Sequence, residues 1–167
     1  MRTQSNKYYK KIMEYVPENR KVLDLGCGCG APFAGKYFKL LVGVDIFRKR
    51  FSMPEYDLVL YHDIRDLEMF QTNSFDVVTI IDVIEHLEKE EGIRLLKEVE
   101  RIAMEKIIIF TPEKWDNNKS NTENPACWSY GNKYNLHKSL WTRREFYKNG
   151  YTIYECQEGQ ILAIKEL

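Results

Sequence analysis

The sequence has no net charge, no apolar run of membrane-spanning length and no paired-cysteine motif. Lys and Arg number 25, and Asp and Glu also number 25. That balance argues against broad, charge-driven binding to nucleic acid and leaves only a local basic patch for such a role. No stretch approaches the ~20 apolar residues of a transmembrane helix, so no membrane association is expected. The opening residues MRTQSNKYYKK lack the apolar centre of a secretory signal, so a cytoplasmic location is expected. Cysteines are few and unevenly spaced, at 27, 29, 127 and 156. A disulfide between Cys27 and Cys29 would be badly strained, so a reducing compartment fits. No CxxC pair or Cys/His grouping suggests zinc.

What is present is an alternation of short apolar runs with amphipathic segments. The 167 residues suit one domain with a real core, and no internal repeat or linker divides them. KVLDL (21–25), LLVGVDI (40–46), DLVLYH (57–62), FDVVTII (75–81) and KIIIFT (106–111) read as strands. Helical spacing marks Lys7 to Val16, Thr142 to Lys148, and Gly92 to Met104, where Ile93, Leu96, Val99 and Ala103 should form the inward face. Continuous apolar strands separated by helices imply an α/β fold with a parallel sheet covered on both faces. YTIYECQ and QILAIKE alternate around Glu158-Gly159, a hairpin that places one strand antiparallel to its neighbour. Residues 113–139 are rich in Asn, Lys and Ser without a clean period. They read as a lid-like insertion in a single domain spanning 1–167.

The stretch KVLDLGCGCGAPF places glycines 26, 28 and 30 directly after a strand. Such a loop presents backbone N–H groups to a ligand. The spacing is GxGxG, whereas dinucleotide folds use GxGxxG. Asp24 would repel a pyrophosphate and attract a cation. Asp45 ends the second strand, near the ~20-residue offset at which a carboxylate takes ribose hydroxyls. Together these describe a nucleoside ligand with a ribose, no phosphate and a positive group. S-adenosylmethionine is such a ligand.

VLDLGCGCG, LVGVDI, HDIRDL and FDVVTIIDVIEHL, in that order and spacing, resemble the class I S-adenosylmethionine-dependent methyltransferases. Within them the chain is similar to the small single-domain branch with a D-V-x-E-H-L element. The resemblance covers nearly the whole chain. It implies a Rossmann-like seven-stranded sheet, mostly parallel with an antiparallel last strand and helices on both faces. It also implies that Asp24, Gly26, Cys27, Gly28 and Gly30 surround the methionine part of the cofactor. Asp45 would hold the ribose, with Ile46 against the adenine. Asp63 would accept from the adenine amine beside Ile64, and Ile81 and Asp82 would close the site. Read alone, Asp82 could equally cap a short helix, and a cap is the second reading of Asp63.

The implied chemistry is in-line displacement of the sulfonium methyl, for which the protein supplies position and desolvation. A base is needed only if the acceptor loses a proton, and the candidates are His137, His86 and, behind them, His62. His137 is the preferred catalytic or acceptor-positioning residue, and His86 also reads as packing beneath the cofactor. Asp82, Glu85 and His86 form a carboxylate-x-x-Glu-His spacing. Some methyltransferases of small phenols and of RNA ends bind a divalent ion through Glu-x-x-Glu-His. With the shorter Asp first, no metal is expected here. Trp115, Trp128, Tyr130, Tyr134 and His137 suggest either a lid over a planar or apolar acceptor or rings that anchor the loop onto the domain, with Trp141 packing beneath it. The expected acceptor is a small molecule. The alternatives are RNA or protein as acceptor, or a non-catalytic binding subunit.

Overall fold

The computed structural model describes residues 5–28, 33, 35–47, 55–127 and 129–167, with side chains from Tyr9 onward. The elements run α1 (Ser5–Met13), β1 (Lys21–Leu25), β2 (Leu40–Asp45), β3 (Leu58–Tyr61), β4 (Phe75–Ile81), a 3-10 turn (Ile84–His86) and α2 (Lys89–Ile102). They continue through β5 (Ala103–Pro112), α3 (Lys119–Glu123), a second 3-10 turn (Lys133–Asn135), α4 (Arg143–Lys148), β6 (Thr152–Tyr154) and β7 (Gln160–Glu166). One seven-stranded sheet has the order β3-β2-β1-β4-β5-β7-β6. Pairing is parallel from β3 through β5, while β7 runs antiparallel to both β5 and β6. The strand order reverses at β1, between β2 and β4. In open α/β sheets that is where ligands bind, outside the carboxyl ends of the strands.

The inner strands β1, β2, β4, β5 and β7 are buried on both faces, whereas the edge strand β3 is largely exposed, and alternate residues of the inner strands separate into two cores. Leu23, Leu25, Val78, Ile80, Ile107 and Ile109 face one side and pack with Leu95, Leu96, Val99 and Ile102 of α2 and Phe146 of α4. Val22, Val77, Ile108 and Phe110 face the other and pack with Ile12 and Met13 of α1, Phe33 and Tyr56.

One local expectation is corrected. The helix expected over 92–104 is α2, three residues earlier, and Ala103 and Met104 already belong to β5. Ile93 accordingly points outward at 40% exposure, and Leu95 and Ile102 take the inward places. The cause is the start signal, since the Glu88 N–H donates to Glu91 Oε2 (3.0 Å) and sets the first turn there.

Gly92 sits inside α2 because Trp141 lies against it. A Cβ there would come 2.4 Å from Trp141 Cζ2. Trp141 is 1% exposed, stacks on Phe146 (5.4 Å between centroids) and donates from Nε1 to Ser139 Oγ (3.0 Å). Glycine to alanine inside a helix ordinarily gains about 1 kcal/mol. Gly92→Ala is expected instead to destabilise by about 1–3 kcal/mol through overpacking, read as a lower Tm. An unchanged or higher Tm would show that the tryptophan can move aside.

Candidate functional site

The carboxyl ends of β1, β2 and β4 open into a cavity of about 790 Å3. Its wall includes Asp24, Gly26, Cys27, Gly28, Asp45, Ile46, Asp63, Ile64, Ile81, Asp82, His86 and His137. These include the cofactor residues and the two preferred histidines named from the sequence; Gly30 and Trp128 lie outside the described residues, and of the expected lid rings Tyr134 lines the cavity whereas Trp115 and Tyr130 are exposed and do not. His62 does not line the cavity, and its Nε2 sits 2.8 Å from the Asp66 carbonyl.

The glycine loop turns over the end of β2. The N–H groups of Gly26 and Cys27 both donate to the Val44 carbonyl (2.7 and 3.1 Å), and Gly28 N–H donates to Asp45 Oδ2 (2.8 Å). Gly26 and Gly28 have φ of +76° and +58°, a region that side chains disfavour. A Cβ at Gly26 would also lie 2.3 Å from Val83 Cγ2. The close neighbour of Gly26 is therefore the protein itself, while Gly28 borders the cavity.

Three carboxylates differ in environment. Asp24 is 3% exposed and accepts from Tyr56 Oη and Thr79 Oγ1, both at 2.6 Å. Burial pushes its carboxyl up to about 7, against those hydrogen bonds. Asp45 accepts from Phe47 N–H (2.7 Å) as well as from Gly28, and burial raises it too. Asp63 sits in a turn with no helix after it. Its carboxylate is held below the usual range by the Arg65 guanidinium (Nε to Oδ1, 2.9 Å).

The Asp24 environment has a consequence for stability. Its folded-state value lies above the unfolded one, so its stabilising share is full below about pH 4 and is lost as the pH rises through about 7. The depressed histidines described below act in the opposite sense, so the comparison must be made within one variant. Asp24→Asn keeps hydrogen-bonding groups for Tyr56 and Thr79. It is expected to remove part of the fall in ligand-free Tm between pH 5 and 8. Parallel Tm curves for the two proteins would overturn this.

At the end of β4 the chain turns sharply. Asp82 adopts φ +53°, uncommon for a residue with a side chain, and its N–H donates to the Phe110 carbonyl (2.8 Å). The 3-10 turn that follows is preceded by Val83 without any side-chain cap, so the helix-cap reading of Asp82 does not hold. Glu85 is 2% exposed and its Oε2 accepts from Thr111 Oγ1 of β5 (2.8 Å). The Glu85 carbonyl accepts from the N–H groups of Lys138 and Ser139 (2.8 and 3.1 Å). Those bonds bring the far end of the 113–139 segment over the turn. His86 Nδ1 lies 3.3 Å from the Leu136 carbonyl, and the rings of His86 and His137 are 4.9 Å apart.

Glu85, His86 and His137 thus offer three ligand atoms within 4.8 Å of one another. Burial and the neighbouring Asp82 push the Glu85 carboxyl up. Burial and the facing His137 push His86 down to about 4, and burial also lowers His137. Neutral imidazoles are the ligand form, and a divalent cation would offset the cost of a buried carboxylate beside Asp82. The donor set therefore fits a metal. Two imidazoles with a carboxylate suit manganese, iron, cobalt or zinc better than magnesium. The 82–86 spacing was legible in the sequence, but its partner in an aperiodic segment far along the chain was not. The turn 157–160 was legible as a hairpin turn, but its place on the cavity wall was not, for the same reason.

Residues 23–108, just over half of the chain, match the family model described as a methyltransferase domain. A small RNA 2′-O-methyltransferase from Xenopus tropicalis is 30% identical over 173 residues. The match covers 89% of this chain and 45% of that protein, so the chain spans under half the length of this relative. Among solved structures, an S-adenosylmethionine-dependent methyltransferase from Mesorhizobium loti superposes with a TM-score of 0.68 at 13% identity, covering 98% of this chain and 99% of that one. The methyltransferase domain of bacterial CtHen1-CN superposes with a TM-score of 0.58 at 24% identity, covering 89% and 91%. With the family model laid across the glycine loop and the first five strands, the chain belongs to the class I S-adenosylmethionine-dependent methyltransferases.

Proposed function

We propose that the chain transfers a methyl group to the 2′-hydroxyl of the 3′-terminal ribose of an RNA, with the help of a divalent ion. The observation that carries this reading is the cluster of Glu85, His86 and His137 on the cavity wall. In RNA only the 3′-terminal ribose has adjacent free hydroxyls, a chelating pair. The name of the Xenopus relative, a small RNA 2′-O-methyltransferase, supports an RNA 2′-hydroxyl as the acceptor. The proposal departs from the sequence-based preference for a small molecule and no metal. It also places His137 among the ligands rather than as a free base.

In this reading Gly26, Cys27, Gly28 and Asp24 surround the methionine part of S-adenosylmethionine. Asp45 takes the ribose hydroxyls with the oxygen lone pairs that Gly28 and Phe47 leave unused. Ile46, Asp63 and Ile64 border the adenine, and Ile81 and Asp82 close the floor. Glu85, His86 and His137 would hold the ion, with Asp82 next to them. A bound divalent ion would fix the direction of a coordinated hydroxyl and lower its pKa, so that its proton passes to solvent as the O–C bond forms and the S–C bond breaks to release S-adenosylhomocysteine. Thr111 orients the Glu85 carboxylate and the Leu136 carbonyl orients His86, so two of the three ligands are held before anything binds. Segment 113–139 acts as the lid, because it brings in His137 and its backbone is tied to Glu85.

The test is transfer of a tritiated methyl group to synthetic RNA oligonucleotides. Transfer is expected to an end bearing both hydroxyls and not to ends that are 2′-deoxy or 3′-phosphorylated. Equal labelling of the 2′-deoxy end, or labelling of a catechol and not of RNA, would overturn the proposal.

A further inference from the structure

Beside its carboxylates and imidazoles the cavity is lined by six carboxamides, three of which, Asn118, Asn121 and Asn132, already have side-chain partners. Asn118 Nδ2 donates to the Asn135 carbonyl (2.8 Å), and Asn132 Oδ1 accepts from the Tyr134 N–H (3.0 Å). Gln160, the first residue of β7, is different. It lines the cavity, and its Oε1 is shut off from solvent yet meets no donor among the described residues. A buried amide oxygen without a donor costs free energy unless something supplies one. Its position is set by strand pairing. Gln160 is opposite Pro112, one register step beyond the Ile161–Thr111 pair whose threonine holds Glu85.

Tyr134 lines the same cavity and is 38% exposed. The Asn132 cap fixes its backbone in the 3-10 turn, and Lys133 Nζ lies 5.2 Å from its ring centroid. With a cation over one face, the half-exposed ring leaves its other face as a stacking surface for a planar base. Lys114 and Lys138 also border the cavity and supply positive charge for a phosphodiester.

We infer that Tyr134 and Gln160 bind the terminal base of the acceptor, the ring by stacking and the amide by accepting from an N–H on the base edge once the side chain turns its closed-off oxygen into the cavity. This rests on the RNA reading above and extends it from the ribose to the base. A catechol offers neither a stacking base nor an N–H edge, so these two residues separate the two diol acceptors. Both are specificity residues that hold the acceptor without touching the reacting hydroxyl.

The experiment compares full-length wild type, Gln160→Leu and Tyr134→Ala on RNA oligonucleotides that differ only in the 3′-terminal base. An abasic 3′-terminal nucleotide serves as reference. Each variant is expected to raise KM for based ends by about tenfold or more, with little change in kcat. On the abasic end variant and wild type are expected to behave alike. S-adenosylhomocysteine affinity and Tm should stay at wild-type values, which separates acceptor binding from folding. Unchanged KM in both variants, or an equal rise on the abasic end, would overturn the inference while leaving the RNA reading intact. A wild type that labels no RNA would overturn the RNA reading and this inference with it.

Discussion

Glu85→Gln is expected to lower methyl transfer by at least about 10²-fold while S-adenosylhomocysteine still binds. The substitution keeps the oxygen that accepts from Thr111 and removes only the charge. Ligand-free Tm should hold or rise, because a buried carboxylate next to Asp82 is relieved. His137→Ala should show the same split between turnover and cofactor affinity. Its N–H, which donates to the Asn117 carbonyl (3.2 Å), is unaffected by truncation of the ring. Chelation should reproduce the loss in wild type, and manganese or cobalt should restore activity. A fully active Glu85→Gln, together with activity that survives chelation, would remove the metal from the proposed function. The Glu85–Thr111 pair would then be a strut between the β4 end and β5.

The sheet was legible because its strands are continuous in apolar character, and burial on both faces permits little else. FDVVTII and KVLDL needed no tertiary information. The boundaries of α2 were less legible. Its start depends on Glu88 and Glu91 acting on each other, and its glycine is explained only by Trp141, a residue far along the chain. The hairpin was visible in its alternation, but the insertion of β7 between β5 and β6 was not. That insertion brings Gln160 to the cavity. The site divides the same way. The glycine loop, Asp45 and the 82–86 spacing are local patterns. The pairing of His86 with His137 is tertiary, made by backbone bonds from Lys138 and Ser139 to the Glu85 carbonyl. Periodicity carries no information about such a contact. Asp63 shows a subtler case: its place on the cavity wall was legible, but its pairing with Arg65, two residues on, depends on the turn that folds the guanidinium back onto it.

Gly28→Val is expected to abolish S-adenosylmethionine binding, measured by titration calorimetry with S-adenosylhomocysteine. Two effects act together. The backbone at Gly28 has φ +58°, which a β-branched residue adopts only at a cost of about 1–2 kcal/mol. The isopropyl group would also stand at the cavity wall where the methionine part is proposed to lie. Relief of the first effect, by a change of φ, would pull the Gly28 N–H away from Asp45 Oδ2 and disturb the proposed ribose acceptor as well. Gly28→Ala separates the contributions, because it carries most of the backbone cost and little of the bulk. If bulk dominates, Gly28→Ala binds S-adenosylhomocysteine measurably and Gly28→Val does not. If the backbone dominates, both lose binding and both show a lowered ligand-free Tm. Wild-type affinity in Gly28→Val would mean that the cofactor does not approach the glycine loop, and the assignment of the cavity floor would fall.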